Sequence, residues 1–294
     1  MSVLQIQDNR PKGLDGTEDV VVPLDDGEKI TISAAEIKEF LGIAEKVSGH
    51  PNLKVMIGKP GSHAFKVMHT DCIVIDPLLI KRSAHFARFV VGHEAAHEIS
   101  RSMQEIGLSR EQANDLANEV GCLYIHNVIE DPAVNDYMIT RAPERKADTR
   151  AVYSEMFAVE NAPLVAHDAV QVAQMLGRTP RFVMYGSELI RHWHQQRYSR
   201  ELDPDVRAAL DKTIGKVKEI WSMIPENGST NKSEVLNCAR SRFLYVHNYV
   251  WSHVQELLEL DIQDGRRVEQ MKQAQQGQNG SGGQPQSGQD GKPD

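Results

Sequence analysis

The amino-acid sequence predicts an α+β fold. A small sheet packs on the helix that carries His93, Glu94 and His97, and a mainly helical C-terminal region follows. Three observations lead there. Short β-rich runs such as "NLKVMIG" and "CIVID" are confined to the chain before Pro77. From about Ser83 onward apolar residues recur with helical spacing. The end, "QAQQGQNGSGGQPQSGQDGKPD", holds almost nothing apolar and cannot offset the entropy of its own ordering.

The elements follow in order. Residues 1 to about 30 mix turn-formers with the apolar run "DVVVPL". "ITISAAEIKEFLGIAEKVSG" reads as a helix: Ser33 is its N-cap, Glu36 completes a capping box, and Ile37, Phe40, Leu41 and Ala44 repeat at helical spacing. "NLKVMIG" is a strand and "KPGS" a turn. "AFKVMHTDCIVID" holds one or two more strands, closed by Pro77. A helix is predicted from about Ser83 to Met103, and a second from about Ser109 to Glu130. "VAHDAVQVAQML", "DPDVRAALDKTIGKVKEIWSMI" and "SEVLNCARSRFLYVHNYVWSHVQELLEL" make the rest helical. The expected organisation is a site-bearing domain over residues 1–145, a helical region over 146–270 that completes or covers its cleft, and a disordered tail or linker over 271–294.

Composition narrows the function. The chain has 294 residues and a net charge of −8, so it lacks the basic footprint of a nucleic-acid or anionic-membrane binder. Its N-terminus lacks the basic-then-apolar pattern of a secretion signal, and no apolar run is long enough for a transmembrane helix. Cys72, Cys122 and Cys238 are far apart and odd in number, which suits a reducing compartment; a cytoplasmic location is expected.

"ARFVVGHEAAHEISRS" carries the chemistry. On a helix His93 and His97 lie one turn apart and about 40° round, so their imidazoles can hold one ion between them. Zinc accepts such nitrogens at about 2.0–2.1 Å in a tetrahedral arrangement. Glu94, beside the first ligand, can take a proton from an activated water and pass it to a leaving amine. The ordinary alternative is a pair of satisfied core histidines. It is weakened by the neighbours Phe86, Phe89, Val90 and Ala96, among which unpartnered polar groups are costly. "CIVID" leads into this helix, an order that suits an enzyme whose edge strand holds an extended substrate.

A catalytic zinc takes a third protein ligand and leaves a position for water. In "EQANDLANEVGCLYIHNVIEDPAVNDYM", Glu119, Cys122, Leu123, His126 and Glu130 fall on one stripe of a continuous helix. "HEAAH" followed by "NVIEDPAVND" resembles the gluzincin pattern, and most nearly a group of bacterial metallopeptidases associated with cobalt chelatases and von Willebrand A modules. That resemblance spans residues 50 to 140. It implies a zincin-like fold, Zn2+ as cofactor, and Glu130 as the third ligand, with Asp131 or Asn127 orienting a ligand histidine. Asn118-Glu119 resembles the thermolysin-type third-ligand motif, which makes Glu119 a rival; Cys122 is a weaker one. Tyr137, His63, His69 and Arg141 are candidates for oxyanion stabilisation. His192, His194, His247 and His253 lack ligand spacing and read as packing or solvated residues.

The function expected is zinc-dependent hydrolysis of peptide bonds: His93, His97 and Glu130 bind the metal and Glu94 is the general base. The substrate is a peptide or protein, and no nucleic-acid or membrane partner is expected. The alternative is a non-catalytic or latent metal-binding module in an assembly with an AAA-type ATPase or von Willebrand A-type protein, partners that the resemblance alone implies.

Overall fold

The computed structural model describes residues 3–5, 12–62, 64–67, 71–159, 174 and 176–279. His63, His69, most of "VAHDAVQVAQML" and the end of the chain from residue 280 lie outside the described residues.

The chain is α+β, with two small sheets before a run of helices. In the first sheet β1 (Val3–Gln5) lies parallel to β3 (Asp19–Pro23), which pairs antiparallel with β4 (Lys29–Ile32). The second has the order β2 (Lys12–Gly13), β5 (Lys54–Ile57), β7 (Cys72–Ile75), β6 (Phe65–Val67). β7 is parallel to β5 and antiparallel to β6. Ile73, Val74 and Ile75 of β7 are all buried, as a strand covered on both faces requires. β7 is therefore an inner strand. The edge next to the site is β6, and the short helix α2 (Pro77–Arg82) intervenes before the histidine helix.

α1 (Ala34–Ser48) begins with the expected capping box of Ser33 and Glu36 and ends at Gly49 in the left-handed region. α3 (Ala84–Ala96), capped by the Ser83 hydroxyl, runs into a single 3-10 turn at His97–Ile99 and stops short of Met103. Gly92 faces α5 (Cys122–Arg141). A Cβ there would stand 2.6 Å from Met138 Sδ, so the glycine sets how closely the two helices approach.

The long second helix expected from Ser109 is two helices. α4 (Arg110–Asn118) has the Ser109–Gln112 capping box and buries none of its residues. It ends at Glu119, and α5 starts after Gly121, whose φ of 79° belongs to the left-handed region. α5 then passes through Pro132 without ending.

α5 divides two cores. Val128, Val134, Tyr137 and Met138 join the sheets, α1, α3 and α6 (Arg145–Met156). Cys122, Ile125 and Ile129 join α7 (Arg181–Gln195), α8 (Pro204–Trp221), α9 (Lys232–Tyr249) and α10 (Trp251–Asn279). Burial of Ile125 and Ile129 contributes roughly 1.5–3 kcal/mol each. Packing thus crosses residue 145: α6 lies on α3 within the first core, and the start of α5 belongs to the second. α10 continues past residue 271, the expected start of the tail.

Candidate metal centre

His93 on the last turn of α3 and His97 at its C-cap turn their rings toward each other. Their Nε2 atoms are 3.2 Å apart. Two ligands about 2.0–2.1 Å from a tetrahedral zinc would be separated by about 3.3 Å, so the spacing fits two nitrogens on one ion. Asp131 of α5 supplies the third donor: its Oδ1 lies 3.7 Å from His93 Nε2 and 3.8 Å from His97 Nε2. That oxygen is buried and makes no hydrogen bond. An orphaned carboxylate oxygen facing two ring nitrogens is costly unless a cation joins them. Among the described residues, His93, His97 and Asp131 are the group of side chains able to hold a metal.

The other ring nitrogens are committed. His93 Nδ1 donates to Asn135 Oδ1 at 2.9 Å, and Asn135 Nδ2 donates to the Tyr153 hydroxyl at 2.9 Å. His97 Nδ1 meets Ser100 Oγ at 3.0 Å. Both Nε2 atoms are thereby left for a ligand, the usual way in which neighbours fix a metal-binding tautomer. Phe89 stacks on His93 with ring centres 5.4 Å apart and holds the ring plane.

Glu94 is buried, as the general base of such a site would be. Burial pushes its carboxyl up to about 7, against the pull of His93 and a hydrogen bond from the Lys66 backbone. Lys66 belongs to the edge strand β6, and its ammonium pairs with Glu98, which also meets His50 Nε2 at 3.1 Å. This cluster ties the edge strand to the turn after α3. Asp131 is pushed up to about 6, chiefly by burial, and burial holds His97 well below the ordinary histidine value. A bound cation would reverse the shift at Asp131 and reinforce that at His97, favouring carboxylate and neutral imidazole together.

Glu130, expected as the third ligand, points elsewhere. Arg242 of α9 donates to its Oε1 from Nη2 at 2.7 Å and from Nε at 3.2 Å. The same guanidinium reaches the Ile99 and Met223 carbonyls, each at 2.8 Å. Neighbouring residues of a helix point about 100° apart, so with Asp131 turned to α3, Glu130 faces α9. Glu119 caps α4 and accepts from Trp251 Nε1 at 2.8 Å, and Cys122 is buried in the second core.

The orienting residue is Asn135 rather than Asn127, which is exposed. A signal for it existed: Asp131 and Asn135 are four apart on α5 and so share a face. Of the oxyanion candidates, Arg141 instead binds the Lys46, Val47 and Gly228 carbonyls. Tyr137 is buried in the first core with its hydroxyl unpaired. His192 packs on Tyr198, His194 on Tyr153 and His247 on Phe243; His253 lies near Glu256.

Comparison with protein-family models, with curated proteins and with solved structures finds no match for this chain, so the likeness to gluzincins rests on its motifs alone.

Proposed function

We propose that the chain is a zinc-dependent metallopeptidase in which His93, His97 and Asp131 hold the metal and Glu94 moves the proton. One observation carries the reading. Two Nε2 atoms and an orphaned carboxylate oxygen converge at ligand spacing beside a buried glutamate that such a metal site, if purely structural, would not need. Substitution of Asp131 for Glu130 as third ligand follows from where the two side chains point.

When bound, zinc would supply Lewis acidity to a carbonyl and to water. Glu94, with a carboxyl near 7 before metal binding, is suited to both halves of the proton transfer. As carboxylate it takes a proton from the attacking water; as acid it delivers that proton to the leaving amine while the C–N bond breaks. Asn135 and Ser100 hold the histidine rings in register throughout.

Limited access to the site favours a second reading, a latent or non-catalytic metal module. His93, His97 and Asp131 side chains are only 13%, 14% and 18% exposed, and Arg242 anchors the C-terminal helices to the turn after His97. An AAA-type ATPase or von Willebrand A-type protein is the partner that this reading would take.

The test is digestion of an unfolded-peptide mixture by zinc-loaded chain, read by mass spectrometry, with Glu94→Gln as control. Cleavage lost in Glu94→Gln with zinc retained supports the peptidase. Stoichiometric zinc with no cleavage supports the latent module.

A further inference from the structure

Asp131 Oδ1 is buried and makes no hydrogen bond, so the course of α5 places it. Two polar ties hold α5 against α3 and the turn that follows α3. One is the hydrogen bond between His93 and Asn135. The other runs through Arg242 of α9, whose Nη2 donates both to the Ile99 carbonyl at 2.8 Å and to Glu130 Oε1 at 2.7 Å. Along α3 and its turn the ties fall at residues 93 and 99; along α5 they fall at 135 and 130. The residue numbers run in opposite senses, so the ties bracket one gap from its two ends, and His97 and Asp131 lie between them. Ile99 is fully buried, and a carbonyl past the end of a helix has no helical N–H to accept from. Arg242 supplies that donor, and its Nη1 reaches the Met223 carbonyl after α8 at 2.8 Å.

We propose that Arg242 is a positioning residue that sets the gap between His97 and Asp131, so that a helix of the second core completes the metal centre. This rests on the metal-binding reading above for what fills the gap, and on the hydrogen bonds for what sets it. The residue suits the task. Arg242 is 2% exposed and holds one side chain and two carbonyls from three separate segments. A planar guanidinium can serve all three at once, which the point charge of a lysine cannot. Removal of a group that orients a ligand directly weakens metal binding about 10–100-fold. Arg242 stands one step further out, acting two residues past His97 and one residue before Asp131, so about tenfold is expected. The affinity of the centre therefore depends on where α9 sits, although α9 supplies none of the three donors.

The test uses the 294-residue chain and zinc alone as the probe. Arg242→Met keeps the stem and removes every donor. It should weaken zinc about tenfold in chelator competition. Hydrogen exchange of the 97–101 turn, read by mass spectrometry on the metal-free chain, should quicken, because the Ser100 amide bonds the His97 carbonyl within that turn. Leu210→Ala controls for stability alone: it lowers Tm from within the second core and should leave zinc affinity within about twofold of wild type. Glu130→Gln keeps an oxygen for the guanidinium to donate to, so the tie and the zinc affinity should both persist. A folded Arg242→Met with unchanged zinc affinity, or with an unchanged turn, would overturn the proposal. So would an equal loss of zinc in Leu210→Ala. If Arg242→Met does not fold, Arg242→Lys decides: it cannot span the three partners, and unchanged affinity and exchange in it overturn the proposal. The exchange arm separates this from the metal reading. A wild type that takes no zinc removes that reading, and the turn then decides alone: quickened exchange in Arg242→Met keeps the clamp, and unchanged exchange removes it.

Discussion

Exchanging the roles of two adjacent carboxylates tests the site most sharply. Asp131→Asn removes the third donor but keeps its shape. Structural zinc sites bind with about 10–16 kcal/mol over four protein ligands, or about 3 kcal/mol each, so the loss is expected to weaken zinc about 100-fold. Stability of the metal-free chain should not fall, because the buried Oδ1 has no partner to lose. Glu130→Gln does the opposite. Arg242 is 2% exposed and loses its charge-assisted pair, while the Ile99 and Met223 carbonyls remain. Breaking a buried pair costs about 3–5 kcal/mol; with Glu130 partly exposed and two acceptors kept, about 2 kcal/mol is expected, a drop in Tm of about 4–8 °C. Zinc affinity should hardly change. Chelator competition measures the first quantity and thermal melting the second. Zinc weakened by Glu130→Gln and unchanged by Asp131→Asn would refute the assignment and restore the ligand set implied by the gluzincin resemblance.

Other outcomes follow from the same geometry. Glu94→Gln should retain zinc and lose about 10²–10⁴-fold in peptide cleavage, measured as kcat/KM on any peptide the wild type cuts. Asn135→Ala frees His93 Nδ1 and should weaken zinc about 10–100-fold by the same chelator assay. The Glu94 carboxyl is raised in the folded chain, so the folded state binds the extra proton and stability falls as pH rises through 7. Between pH 6.5 and 8 the metal-free chain should lose about 1 kcal/mol from this group, and Glu94→Gln should flatten that slope in melts across the range. His97 and His126, both held low by burial, contribute with opposite sign as pH rises through the ordinary histidine value, so the Glu94 contribution is read as the difference between wild type and Glu94→Gln. Gly92→Ala should cost about 1–3 kcal/mol by pressing α3 against Met138, read from denaturant midpoints.

Local chemistry made much of this legible in the sequence. Ser33 and Glu36 cap α1, Ser109 caps α4, β5 falls on an alternating apolar run and β7 on a continuous one. His93 and His97 converge because four residues make nearly one helical turn. The third donor was not legible from spacing. A stripe drawn through Glu119, Cys122, His126 and Glu130 assumes one continuous helix, and Gly121 breaks it by adopting a positive φ. Past that break the azimuth of α5 is set by tertiary packing, which sends Ile125 and Ile129 into one core and Val134 and Met138 into the other. Pro132 tolerates a helix interior here, contrary to its local cost. The Arg242 clamp on Glu130 joins residues 112 positions apart, and no local pattern announces it.

The central claim is a zinc centre built from His93, His97 and Asp131. The most direct measurement is the zinc X-ray absorption spectrum of the 294-residue chain after loading and dialysis, beside its stoichiometry. One zinc per chain, with two imidazole nitrogens and a remaining shell of oxygens that changes in Asp131→Asn but not in Glu130→Gln, is the result expected. A folded chain that retains no zinc, or a spectrum containing sulfur or lacking the two imidazoles, would contradict the account.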